Sequence, residues 1–70
     1  MENIQQRFGQ RLKQLRNGIG ISQESLAGLA DLDRTYVADI EAGKRNVSIL
    51  VAEKLAKALN TTISELFHEL

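Results

Sequence analysis

The sequence predicts an all-α domain, on three observations. Apolar residues recur every three or four positions through almost the whole chain, the period of one helix face. Each such stretch opens on an Asn, Ser, Asp or Thr able to cap a helix start. Proline is absent, so no helix is interrupted by ring geometry, and no stretch reads as a strand. With no linker, low-complexity segment or internal repeat, residues 1–70 read as one domain. A chain of this size buries only about 60% of its unfolded surface, so it gains from a partner subunit.

Five helices are expected. The first runs from about Ile4 to Ile19, capped by Asn3 with Gln6 placed to reach back, and ended by a left-handed Gly20. Ile4, Phe8, Leu12, Leu15 and Ile19 form its apolar face. The second runs from about Gln23 to Ala30 behind the Ser22 cap and presents Leu26, Ala27, Leu29 and Ala30; Ala27 is small where two helices must approach. Gly28 costs that helix about 1 kcal/mol relative to alanine with no evident reason. The third runs from about Arg34 to Ala42, capped by Asp33, stapled by Leu32 on Val37 and closed by Gly43; Val37 and Ile40 point inward. Only Asp31 to Asp33 separate the second helix from the third, and so short a connection forces the steep crossing of a helix-turn-helix. After the polar Lys44, Arg45 and Asn46, Ser48 caps a fourth helix to about Leu59, with Ile49, Ala52, Leu55, Ala56 and Leu59 inward and Leu50 and Val51 off the stripe. Asn60 ends it. Thr62 and Glu65 are spaced as a capping box for a last helix with Ile63, Leu66, Phe67 and Leu70 apolar.

Composition narrows the function. There is no cysteine, so neither a disulfide framework nor a cysteine-ligated metal is available, and the lone His68 cannot hold a metal by itself. No cofactor is implied. No apolar run approaches the ~18 residues that span a membrane, and the N-terminus lacks a signal-peptide pattern, which points to a cytoplasmic protein. No nucleophile, base and orienting group fall together, and there is no Gly-rich phosphate loop, so the chain does not read as an enzyme. Nine basic and nine acidic residues balance to a formal charge of zero. Binding to nucleic acid would therefore rest on local placement of positive groups.

The ordered set of motifs resembles one family. I-S-Q-E-S-L-A at 21–27, D-R-T-Y-V-A-D-I-E-A-G-K-R-N at 33–46, Ser48 with L-A-K-A-L at 55–59, and I-S-E-L-F at 63–67 look like the lambda-repressor-like (XRE) helix-turn-helix family. Within it, D-R-T-Y followed by I-E and R-N is similar to the controller proteins of restriction–modification systems. The chain departs from the family pattern at Asp31, where glycine is common, at Val47, where proline is common, and at Leu50, where a polar residue is common. Aspartate tolerates the left-handed backbone the turn needs. An apolar Leu50 favours contact with a partner.

The resemblance implies a five-helix DNA-binding domain whose third helix enters the major groove. Carried over by position, Arg34, Thr35 and Asp39 would read bases. Arginine can donate twice to guanine, threonine can bond or pack on a thymine methyl, and aspartate can accept from a cytosine amino group but repels phosphates. Read without the family, Arg34 and Asp39 are equally a solvated surface pair. Gln23, Tyr36, Lys44, Arg45 and Asn46 would lie along the DNA backbone, Gln23 beside the free N–H groups of a helix start. Lys44 to Asn46 are otherwise a plain polar loop, and Tyr36 a cover for the turn. Arg16 and Glu41 match the family's internal ion pair. Leu50, Ile63, Phe67 and Leu70 are the expected dimer contacts. The function implied is a sequence-specific transcription regulator, a homodimer on a palindromic operator that controls its own operon. Its partners would be double-stranded DNA, a second copy and, for an activator, RNA polymerase. The rival is an antitoxin or a protein-interaction module that keeps the fold.

Overall fold

A computed structural model describes residues 2–70. They form five helices, α1 (Ile4–Gly18), α2 (Gln23–Ala30), α3 (Arg34–Glu41), α4 (Ile49–Ala58) and α5 (Ile63–Leu66). No strand occurs among the described residues. Every helix contributes to a single core. Leu12, Leu26, Val37, Ile40, Leu55 and Leu66 are its fully buried large side chains, at least one from each helix. α3 packs on both α1 and α2, α4 on α2, and α5 closes the bottom against α1 and α4.

The helix starts follow local chemistry. Asn3 Oδ1 accepts the Gln6 N–H at 2.8 Å while Gln6 Oε1 accepts the Asn3 N–H at 3.0 Å, a complete capping box. Ser22, Asp33, Ser48 and Thr62 each accept a backbone N–H of the turn they open. The helix ends are equally regular. Gly20, Asp31, Gly43 and Asn60 have φ of 74°, 56°, 78° and 55°. At the turn of the helix-turn-helix, Leu32 N–H bonds Ala27 O at 2.9 Å and Asp31 N–H bonds Gly28 O at 3.3 Å, so the left-handed Asp31 closes α2 and redirects the chain into α3.

Several expectations need correction. Ile4, Ile19, Leu29 and Ile49 lie on predicted apolar faces yet are 55%, 52%, 64% and 84% exposed. All but Leu29 sit at helix ends, where the stripe runs past the elements that cover it. The Thr62–Glu65 capping box is only half formed. Thr62 Oγ1 accepts the Glu65 N–H, but the Glu65 carboxylate pairs with Arg11 at 3.0 Å instead of turning back. Arg11 also donates twice to Glu65 O, at 3.1 and 2.9 Å, and Arg7 donates to Leu70 O at 3.2 Å. A helix of one turn is not stable by itself. These arginines of α1 hold it in place. Leu70, expected to face a partner, is half-buried against the protomer's own core.

Gly9 is the most closely packed of the glycines. A Cβ there would lie 2.4 Å from Ile40 O and 2.7 Å from Glu41 O. Both are backbone atoms at the end of α3, and neither has a flexible side chain's freedom to give. Glycine thus lets α1 and α3 touch. At Gly28 a Cβ would meet nothing within 4 Å, and no packing reason accounts for the glycine. The two substitutions should therefore differ in sign. Gly9→Ala should destabilise by about 3 kcal/mol through overpacking. Gly28→Ala should stabilise by about 1 kcal/mol through helix propensity. Urea unfolding of the two variants checks both.

Candidate nucleic-acid interface

The surface around α3 is held from beneath by a buried ion pair. Arg16, on the last turn of α1, donates from Nε to Glu41 Oε2 at 2.7 Å and from Nη2 to Glu41 Oε1 at 3.0 Å. The side chains are 10% and 3% exposed. The pair is bidentate, the strongest arrangement available to these two groups. Arg16 Nη1 also donates to Ile21 O at 2.8 Å, and Gln23 Nε2 donates to Glu41 Oε1 at 3.1 Å. One cluster therefore ties the end of α1, the entry to α2 and the end of α3. The hydrogen bonds to Glu41 raise the Arg16 pKa above its ordinary value, overcoming desolvation, and the Glu41 charge adds to the rise. The surroundings of Arg16 accordingly favour its charged form.

This clamp leaves one face of α3 outward. Val37 and Ile40 are buried, while Arg34 and Thr35 are exposed and Ala38 and Asp39 half-exposed. Ala42 follows on the same face. Ala38 and Ala42 are small, so the face stays shallow and lets a flat or grooved partner come close to the backbone. Periodicity contains this signal in principle, but it becomes legible only once the inward face is known.

The charged residues are not equivalent. Among the described residues Arg34 has no ion pair, and neither has Lys44. Asp39 is paired with Arg45, Nε to Oδ2 at 3.4 Å, rather than with Arg34. The Arg45 guanidinium also lies 5.2 Å from the centre of the half-buried Tyr36 ring, a cation–π contact. Asn46 is exposed, and its side chain accepts a hydrogen bond from Gln5 of α1. Gln23 has one amide hydrogen spent on Glu41, with the rest of the amide at the half-exposed start of α2. The structure thus gathers Arg34, Thr35, Tyr36, Asp39, Lys44 and Arg45 around one helix and its following loop, with Gln23 attached through Glu41. Leu50, Ile63 and Phe67 belong elsewhere. They are 61%, 39% and 41% exposed, on α4 and at α5. The Phe67 ring packs against Phe8, tilted by 34° with centres 4.9 Å apart, and, with Ile4 and Val47, lines a groove of about 190 Å³. Groups of three or more acidic, histidine or cysteine side chains able to hold a metal are absent among the described residues. Among the described residues no helix is long and apolar enough to cross a membrane.

The helix-turn-helix family profile matches residues 12–66, which contain α2, the turn, α3 and the clamp beneath them. Control protein C.MunI of Mycoplasma sp is 51% identical over 71 aligned positions, covering 100% of this chain and 96% of that one. The chain belongs to the helix-turn-helix family of restriction–modification controller proteins. The fold agrees. The crystal structure of the controller C.AhdI from Aeromonas hydrophila superposes with a TM-score of 0.87 at 52% identity, over 89% of this chain and 94% of that one. A second controller, C.Esp1396I, has been solved as a tetramer in complex with its natural 35 base-pair operator. It superposes with a TM-score of 0.82 at 32% identity, over 89% of this chain and 82% of that one.

The clamp generates a stability test. Glu41→Ala leaves Arg16 buried and unpaired, and should cost about 3–5 kcal/mol. Glu24→Ala removes an exposed first-turn carboxylate and should cost less than about 1 kcal/mol. Thermal unfolding of the two variants should separate them clearly; small, equal losses would mean that the pair is exposed to solvent rather than buried.

Proposed function

We propose that this controller-family chain is a sequence-specific DNA-binding transcription regulator that acts as a homodimer on an operator of two-fold symmetry and controls its own operon. The observation that carries the reading is the outer face of α3. Arg34, without an ion pair among the described residues, stands one residue past the Asp33 cap on a shallow surface kept in place by the Arg16–Glu41 clamp. A helix presented in this way fits a major groove, and a free guanidinium at its first turn fits the O6 and N7 acceptors of guanine. C.Esp1396I, which shares the fold, was solved on its operator. Thr35 would read beside Arg34. Lys44 and the start of α2 with Gln23 would hold phosphates on either side, with Tyr36 and Asn46 along the backbone. Catalysis forms no part of this reading, and a cytoplasmic location follows from it because the operator lies there.

The dimer would use the second surface. Ile63, Phe67 and Leu50 are exposed large apolar side chains in a chain too small to bury a large core. Ile49, 84% exposed, joins Leu50 at the start of α4. A two-fold axis through this region would present two α3 helices to successive major grooves, about 34 Å apart. The same apolar surface would serve an antitoxin or interaction module. The free Arg34 and Lys44 favour the DNA reading.

Two measurements test this. Arg34→Ala should cost roughly 1–3 kcal/mol per half-site and relax preference at one base pair in each half-site, leaving the others intact. A binding series varying each operator position in turn, at one fixed salt, reads this out; a uniform loss at every position would make Arg34 a phosphate contact. Ile63→Asp should sediment as a monomer and bind the operator more weakly. An unchanged dimer would move the interface away from α5.

A further inference from the structure

Asp39 places a negative charge in the middle of the face assigned to DNA, where it repels phosphates unless a cation offsets it. Arg45 is that cation. It reaches back from the loop after α3 to lie 3.4 Å from Asp39 Oδ2, with its guanidinium 5.2 Å from the Tyr36 ring centre. The side chains are 53% and 29% exposed, so the contact is open to exchange. Exposed pairs of this kind are weak enough to open when the carboxylate gains another donor. Lys44, next to Arg45, has no such partner among the described residues, so the two basic residues of the loop are not interchangeable.

We propose that Asp39 is a specificity-determining residue that works by partner exchange with Arg45. On DNA of arbitrary sequence Arg45 stays on Asp39 and adds nothing to phosphate binding. On the operator the Asp39 carboxylate accepts from a cytosine amino group, and the released Arg45 guanidinium passes to a phosphate oxygen. Correct base reading thereby switches on one phosphate contact. The pair lowers affinity for wrong sequences without lowering it for the right one, which suits a chain with no net charge to spend on unspecific attraction. This rests on α3 being the DNA-facing helix.

The test compares two duplexes of equal length and composition, one selected by the wild-type protein from a randomised pool and one scrambled. Affinities are measured by anisotropy across a range of salt. Arg45→Ala should flatten the log–log salt slope by about 0.9 on the selected duplex and leave the scrambled one unchanged. Asp39→Asn should raise affinity for the scrambled duplex roughly two- to fivefold, steepen its slope by about 0.9, and shrink the ratio between the duplexes. The gain should vanish when Asp39→Asn is combined with Arg45→Ala. In the free protein, the Arg45 Nε–H resonance should shift between wild type and Asp39→Asn. Equal flattening on both duplexes by Arg45→Ala would overturn the proposal. So would a gain that persists in the double variant, which marks simple charge repulsion, or an unmoved Arg45 resonance. If the wild type selects no duplex at all, the DNA reading falls and the exchange with it.

Discussion

The structure depends on one buried contact, the Arg16–Glu41 pair with Gln23 and the Ile21 carbonyl around it. Burying two charges costs several kcal/mol per ion, and their attraction offsets this only when the remaining donors and acceptors are satisfied. Here both carboxylate oxygens and three guanidinium nitrogens are bonded. Among the described residues no buried side-chain nitrogen or oxygen is left without a partner. Such a cluster adds little net stability over an apolar replacement, but it tolerates only one geometry. It sets where α2 begins relative to where α3 ends, and so the direction in which the outer face of α3 points. Gly9 works at the same junction from the other side, letting α1 come within backbone contact of Ile40 and Glu41.

That rigidity matters because the chain has no net charge with which to attract DNA. A strongly basic protein can hold phosphates in many poses. A neutral one must place a few positive groups well. The unpaired Arg34 and Lys44 and the reserved Arg45 differ in what they are free to do, although composition counts them alike. The proposed dimer through the apolar surface at α4 and α5 would add a second means of economy. A dimer doubles the number of placed groups, and fixes their spacing, without raising the charge of either chain.

Much of the fold was legible in the sequence because the signals are local. A cap bonds two or three residues away, and a left-handed turn residue acts within its own helix end, so Asn3, Ser22, Gly20, Asp33 and Ser48 were readable without knowledge of the rest. Periodicity likewise identified the buried Leu12, Leu26, Val37, Ile40 and Leu55. What failed depends on distance. Ile49 shares the spacing of the α4 stripe, but spacing does not reveal whether another element lies over it. Glu65 had a good local partner in Thr62, and its carboxylate went instead to Arg11, 54 residues earlier. Gly9 carries no signal of its own, since a close approach belongs to two helices at once. The residues proposed to face DNA around α3 come from the family pattern, whereas the choice of Arg45 rather than Arg34 by Asp39 required the path of the loop.

If the clamp serves orientation rather than stability, one double variant will separate the two roles. Arg16→Met combined with Glu41→Leu replaces the pair by apolar side chains of similar volume, which in comparable buried pairs leaves stability unchanged or raises it. Stability by urea unfolding and affinity for a duplex selected by the wild type would be measured on the same preparation. Unfolding free energy at or above the wild-type value, with operator affinity reduced about tenfold or more, is the predicted result. Wild-type affinity in a fully stable double variant would contradict it, because α3 would then hold its direction without the pair.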